Sequence, residues 1–103
     1  MRELLLLLFT HYLGDFGLQS DFLANFKRPG SQLNGESVWA HVMLAHCSIQ
    51  ALGVLLVTQR WEFAIVELVV HFAIDVAKCK GKLTFMQDQL LHALCRVVYW
   101  SFL

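Results

Sequence analysis

Hydrophobic residues collect into four stretches, residues 4–25, 37–57, 61–78 and 84–103, each close to the ~20 residues that carry a helix across a bilayer. Turn-forming residues divide them. Lys27-Arg28-Pro29-Gly30, with Asn34-Gly35 just beyond, makes one loop, Thr58-Gln59-Arg60 a second and Lys80-Gly81-Lys82 a third. Short loops set sequence neighbours antiparallel, so the pattern predicts a single all-α domain, an up-and-down four-helix bundle. Gly14 and Gly17 suit close helix approach but weaken the helix that holds them. The alternative for this first stretch is a break near residues 17–20, with Ser20 or Asp21 capping a short interfacial helix that runs to Lys27.

The polar residues within these stretches are as ordered as the apolar ones. All five histidines, His11, His41, His46, His71 and His92, fall inside them, as do Asp15, Glu67, Asp75, Asp88 and Arg96. Residues four apart share a helix face. His11-Asp15-Gln19, Glu67-His71-Asp75 and Asp88-His92-Arg96 are therefore three polar stripes, each pairing a histidine with an aspartate one turn away. Counting inward at ~1.5 Å per residue from the end with the 27–36 and 78–83 loops sorts them into tiers. Asp75 and Asp88 lie about one turn in, with Gln19 and His41. His71, His92, His46 and Asp15 lie about two turns in, and Glu67, Arg96 and His11 about three. A Glu67–Arg96 ion pair is thus expected above a histidine-rich tier, with carboxylates below. His41 and His46 are five apart, about 140° around a helix, so both cannot face the axis. His46, with Gln50 one turn on, is assigned to the core and His41 to neither place.

Composition identifies the surroundings. Hydrophobic residues make up 57% of the chain and charged ones 16%, against about 25% charged in ordinary soluble domains. This points to lipid as part of the solvent. A soluble, oligomerising helical bundle is the competing picture, with residues 61–78 as its core helix, but the second and fourth stretches carry almost no charge along most of their length. Lys27, Arg28, Lys78, Lys80 and Lys82 gather at one end. The positive-inside rule then places those loops in the cytoplasm and both termini outside a bacterial inner (plasma) membrane. The same rule accounts for the basic cluster at 78–82 without lipid-phosphate binding. Trp39, Trp61, Tyr99 and Trp100 fall near the segment ends, as an interfacial aromatic belt would. Arg2 ahead of an apolar run resembles a signal peptide, but Tyr12, Asp15, Phe16 and Gln19 follow where a small-residue cleavage site would stand. Zero net charge argues against a nucleic-acid partner. Cys47, Cys79 and Cys95 form no Cys-x-x-Cys spacing and no disulfide framework.

His-x-x-Gly-Asp-Phe-x-x-Gln-x-Asp at 11–21, His-x-x-x-Asp-x-x-Lys at 71–78 and Asp-Gln-x-x-His at 88–92 resemble a family of small bacterial and phage membrane proteins, domain of unknown function 3307. The resemblance covers nearly the whole chain. It implies a multi-spanning membrane protein and a shared polar set of His11, Asp15, Gln19, Asp21, His71, Asp75, Lys78, Asp88, Gln89 and His92. It implies no activity, and it leaves the histidines of the second stretch unassigned. Asp21 lies off the His11–Asp15 face and reads first as a helix cap.

Three functions suit ten ionisable groups at this depth. The first is a metal site, since zinc takes three or four His and carboxylate ligands whose far ring nitrogens are usually held by carboxylates. Asp15, His46, His71 and His92 would be the ligands, with iron or manganese next after zinc. Asp75 and Asp88 would orient imidazoles or act as general base, which makes a metal-dependent hydrolase acting on membrane lipid near the cytoplasmic leaflet. No His-Glu-x-x-His and no haem-attachment motif is present. The second is a proton or cation relay through Glu67, His71, Asp75, Gln19 and Lys78, opposed by the apolar residues 4–9 and 52–57 on the outer side. The third is a structural or partner-binding role in which the polar groups specify helix packing. Four helices enclose little space, so a substrate would arrive from the lipid or between protomers of a homo-oligomer.

Overall fold

A computed structural model describes residues 1–103. The chain is predominantly helical: α1 Arg2–Tyr12, a π-helical turn Leu13–Gly17, α2 Asp21–Phe26, α3 Trp39–Thr58, α4 Trp61–Cys79 and α5 Phe85–Ser101. Strands β1 Gln32–Leu33 and β2 Glu36–Ser37 form a small antiparallel hairpin between α2 and α3. Its turn residues, Asn34 and Gly35, both have positive φ (53° and 81°), the Asn-Gly geometry that lets two strands meet without splaying. That hairpin stands where the sequence pattern indicated only a loop.

The helix ends carry local signals. Ser20 accepts a hydrogen bond from the Leu23 amide and starts α2. Thr84 and Gln87 form a reciprocal capping box at the start of α5. Gln59 takes the left-handed conformation (φ 58°) that ends α3 and turns the chain into α4.

The first stretch departs from a single helix over 4–25. Its α-helical turns end at Tyr12, and the Leu18 amide bonds to the Leu13 carbonyl five residues back (2.7 Å). The widened turn and the break after it are the interrupted alternative, capped at Ser20. Crowding explains part of this. A Cβ at Gly14 would overlap the Gln50 carboxamide of α3, so the π-turn passes against α3 where only glycine fits.

The long helices close a ring in which α3 packs on α4, α4 on α5, α5 on α1 and α1 on α3. Its interior is mostly polar. Of 18 buried residues, ten are polar or charged, including four histidines, Glu67, Asp75, Asp88 and Arg96. The apolar core is a small layer of Leu7, Val54 and Tyr99, supported by Val57, Phe63, Cys95 and Trp100. Tyr99 therefore leaves the expected interfacial belt: three residues after Arg96 on α5, it shares Arg96's inward face and stacks on Phe63 with centroids 5.5 Å apart. Large apolar side chains such as Phe9, Leu56, Trp61, Val69 and Leu90 point outward instead. By length and apolar composition taken alone, α3 is the one helix able to cross a membrane. The three cysteines are free thiols, with Cys47 buried.

Candidate functional site

The π-turn aims Asp15 at the ring axis, where α3 contributes His46 and Gln50, α4 contributes Glu67, His71 and Asp75, and α5 contributes Asp88, Gln89, His92 and Arg96. Widened turns of this kind recur at functional sites because one extra residue redirects a side chain. Four side-chain atoms gather here, centred on His46 Nε2. His46 Nε2 lies 3.1 Å from His71 Nε2, 3.2 Å from Asp75 Oδ2 and 3.4 Å from Asp15 Oδ1, and His71 Nε2 lies 3.6 Å from Asp15 Oδ1. A hydrogen on His46 Nε2 can serve only one of these neighbours at a time. Tetrahedral coordination at the usual zinc bond lengths sets ligand atoms about 3.3 Å apart; the His46–His71 and His46–Asp75 separations are close to this, and the ligand atoms of these three residues lie within 4.8 Å of one another.

Carboxylates and amides hold these groups from behind. His71 Nδ1 faces Glu67 Oε1 at 3.6 Å, and Glu67 Oε2 stands 3.7 Å from Arg96 Nε. Arg96 donates to the carbonyl of Leu7 (3.3 Å), to Thr10 Oγ1 (3.4 Å) and to Gln50 Oε1 (2.5 Å). Gln50 in turn donates to Asp15 Oδ1 (2.8 Å) and to the carbonyl of His11 (3.1 Å). Gln89 donates to Asp15 Oδ2 (3.2 Å) and Asp88 Oδ2 (3.1 Å), and accepts from His11 Nε2 (3.1 Å). His92 stacks on His71 with centroids 4.0 Å apart, and its Nε2 is 3.3 Å from Asp88 Oδ1.

The expected single ligand set of Asp15, His46, His71 and His92 is distributed differently. The residues fall into three overlapping groups, each with ligand atoms within 4.8 Å: Asp15-His71-His92, His46-His71-Asp75 and Asp75-Asp88-His92. Asp75 thus stands on the ligand side of His46, and Glu67 is the carboxylate behind His71. The Glu67–Arg96 pair lies above the histidine tier, beside the Leu7–Val54–Tyr99 layer. His41 is exposed and outside the cluster, and Asp21 is exposed in the first turn of α2.

Two participants escaped the sequence reading. Lys27 Nζ reaches Asp75 Oδ2 at 2.8 Å from just beyond α2. In the sequence it is only a topology charge, because nothing in its spacing ties it to α4. Gln50 was noted beside His46 but not as the link from Arg96 to Asp15; its place one turn from His46 was the available signal. Asp15, Gln19, Lys27, Asp75, Lys78, Asp88 and Gln89, with Phe16 and Phe85, line a pocket of about 80 Å³ opening at the end with the basic loops. A larger cavity of about 740 Å³ lies at the opposite end, between Glu3, Thr58 and Trp100, away from the cluster.

Four carboxylates, Asp15, Glu67, Asp75 and Asp88, meet the cluster, while only Lys27 and Arg96 form Lys or Arg ion pairs with it. With neutral imidazoles, two negative charges are left uncompensated in a poorly solvated interior, a costly arrangement unless cations or protons balance it.

Residues 4–103 match the family described as Protein of unknown function (DUF3307), and the chain belongs to that family. No curated protein and no solved structure matches it.

Proposed function

We propose that this member of the family is a small integral membrane protein that binds a divalent transition metal in its buried His/Asp core and uses it for hydrolysis near the cytoplasmic leaflet. The observation that carries the reading is the buried group His46-His71-Asp75, whose ligand atoms lie within 4.8 Å of one another, with Asp15 Oδ1 at 3.4 Å from His46 Nε2 and 3.6 Å from His71 Nε2. Zinc is the first candidate, and iron or manganese the next. A divalent ion supplies Lewis acidity toward a water or an ester oxygen. The chain's own residues do the rest: Glu67 faces the far nitrogen of His71 at 3.6 Å, Gln50 and Gln89 orient Asp15, and Asp88 lies at the pocket as a general base. Lys27 and Lys78 at the mouth suit an anionic lipid headgroup, with Phe16 and Phe85 against its apolar part.

The membrane part of the reading is supported by the reversal of polarity, polar inside and apolar outside, which is favourable when the helices face hydrocarbon. The apolar layer of Leu7, Val54 and Tyr99 beyond Arg96 favours a site reached from one side over a relay through the bundle.

Metal content per chain of the detergent-purified protein tests this reading, against a His46→Ala/His71→Ala variant of matched helicity. The wild type is expected to retain metal that the variant loses. A metal-free, folded wild type that takes up none on addition would overturn the proposal.

A further inference from the structure

We infer that the core holds a second divalent cation, bound by Asp75, Asp88 and His92, with Asp75 shared between the two positions. This rests on the metal reading of the first position and extends it to a two-ion centre, in which Asp88 serves as a ligand in place of its role as general base. The ligand atoms of the three residues lie within 4.8 Å of one another, and all three are buried.

Carboxylates alone do not argue for an ion; His92 does. Its side chain is 1% exposed, and neither Nδ1 nor Nε2 has a hydrogen-bond partner. Asp88 Oδ1, 3.3 Å from His92 Nε2, is also buried without a partner. An imidazole and a carboxylate oxygen left unsatisfied side by side need an explanation. A cation held between them satisfies both, because each offers it a lone pair.

The stacking of His92 on His71 supplies an independent geometric argument. The rings are nearly parallel, 23° between planes, with centroids 4.0 Å apart. Two-metal centres hold their ions about 3.5–4 Å apart. Parallel imidazoles at that spacing offer one ligand to each of two adjacent ions, His71 to the first and His92 to the second. Asp75 belongs to both groups, as a bridging carboxylate would. The ammonium of Lys27, 2.8 Å from Asp75 Oδ2, neutralises this carboxylate in the present arrangement. A second ion takes over that role, and Lys27, at the pocket mouth, turns toward solvent.

Manganese titration of the stripped, detergent-purified protein tests the inference, read by bound Mn²⁺ per chain and by electron paramagnetic resonance. The wild type is expected to bind two ions with an exchange-coupled spectrum. Asp88→Asn and His92→Gln should each bind one, with the spectrum of an isolated ion. A wild type that binds one ion with an isolated-ion spectrum overturns the second position while the first stands. A wild type that binds none overturns both. Two uncoupled ions, unchanged in both variants, place the second ion elsewhere and overturn the inference. The wild-type count and spectrum decide the matter even if a variant fails to fold.

Discussion

Replacing Arg96 by methionine tests whether the Glu67–Arg96 pair holds the core together. Arg96 is fully buried; Met is of similar length and apolar, so the change removes charge and donors with little loss of volume. It takes the guanidinium from Glu67, 3.7 Å away, and the donors from Gln50 Oε1, Thr10 Oγ1 and the Leu7 carbonyl. Hydrogen bonds to charged groups contribute about 1.5–3 kcal/mol each, but bonds sharing one side chain do not add. Breaking a buried pair from one side costs about 3–5 kcal/mol, because the surviving charge has neither water nor partner. That is the destabilisation expected of Arg96→Met, measured by denaturant unfolding in mixed micelles with far-ultraviolet circular dichroism. Glu67→Gln removes the stranded charge, so Glu67→Gln/Arg96→Met should be more stable than the sum of the single changes by about 1–3 kcal/mol. An Arg96→Met protein within about 1 kcal/mol of wild type, or a cycle additive within about 0.5 kcal/mol, would refute the reasoning.

Gly14→Val drives a side chain into the Gln50 carboxamide that orients Asp15, so it should cost about 1–3 kcal/mol and reduce metal retention. Gly17→Ala meets only the Leu13 side chain and should stay within about 1 kcal/mol in the same unfolding assay. Lys27→Met removes the ammonium competing for Asp75, and Mn²⁺ affinity should rise about tenfold, or 1.4 kcal/mol, by titration; an unchanged affinity counts against competition. Metal retention should fall as pH is lowered, since protons displace the ion from the imidazoles; a flat profile by equilibrium dialysis rejects His46 and His71 as ligands. In a background without the native cysteines, Lys82→Cys should react with an impermeant thiol reagent only after cells are opened, and Gln59→Cys in intact cells; the reverse pattern inverts the orientation.

Much of the site was legible because helical periodicity is local. Glu67, His71 and Asp75 share a face of α4 whatever packs against it, and Asp88, His92 and Arg96 do so on α5, since 3.6 residues per turn returns every fourth residue to one side. Antiparallel order then places Glu67 opposite Arg96 from sequence alone. His46 could be preferred to His41 for the same reason. Lys27 could not be found this way: it lies 48 residues from Asp75, beyond a break and a capped helix. Tyr99 lies near a segment end but shares Arg96's face of α5, and that face, not nearness to the end, buries it.

The order of apolar stretches and turns determined the helical architecture and which polar residues share a helix face, since both follow from backbone geometry within one element. Only the tertiary structure decided how the stripes rotate onto one another. The π-turn shows why: one extra residue in a turn shifts the phase of everything after it by about 100°, and that shift goes with Asp15 facing His46 and Gln50 and with glycine where α3 passes. Grouping Asp75 with His46, and His92 with Asp88, depends on helix rotation and rotamers set by neighbours far along the chain. Those are properties of the assembled ring, and no spacing within a single helix contains them.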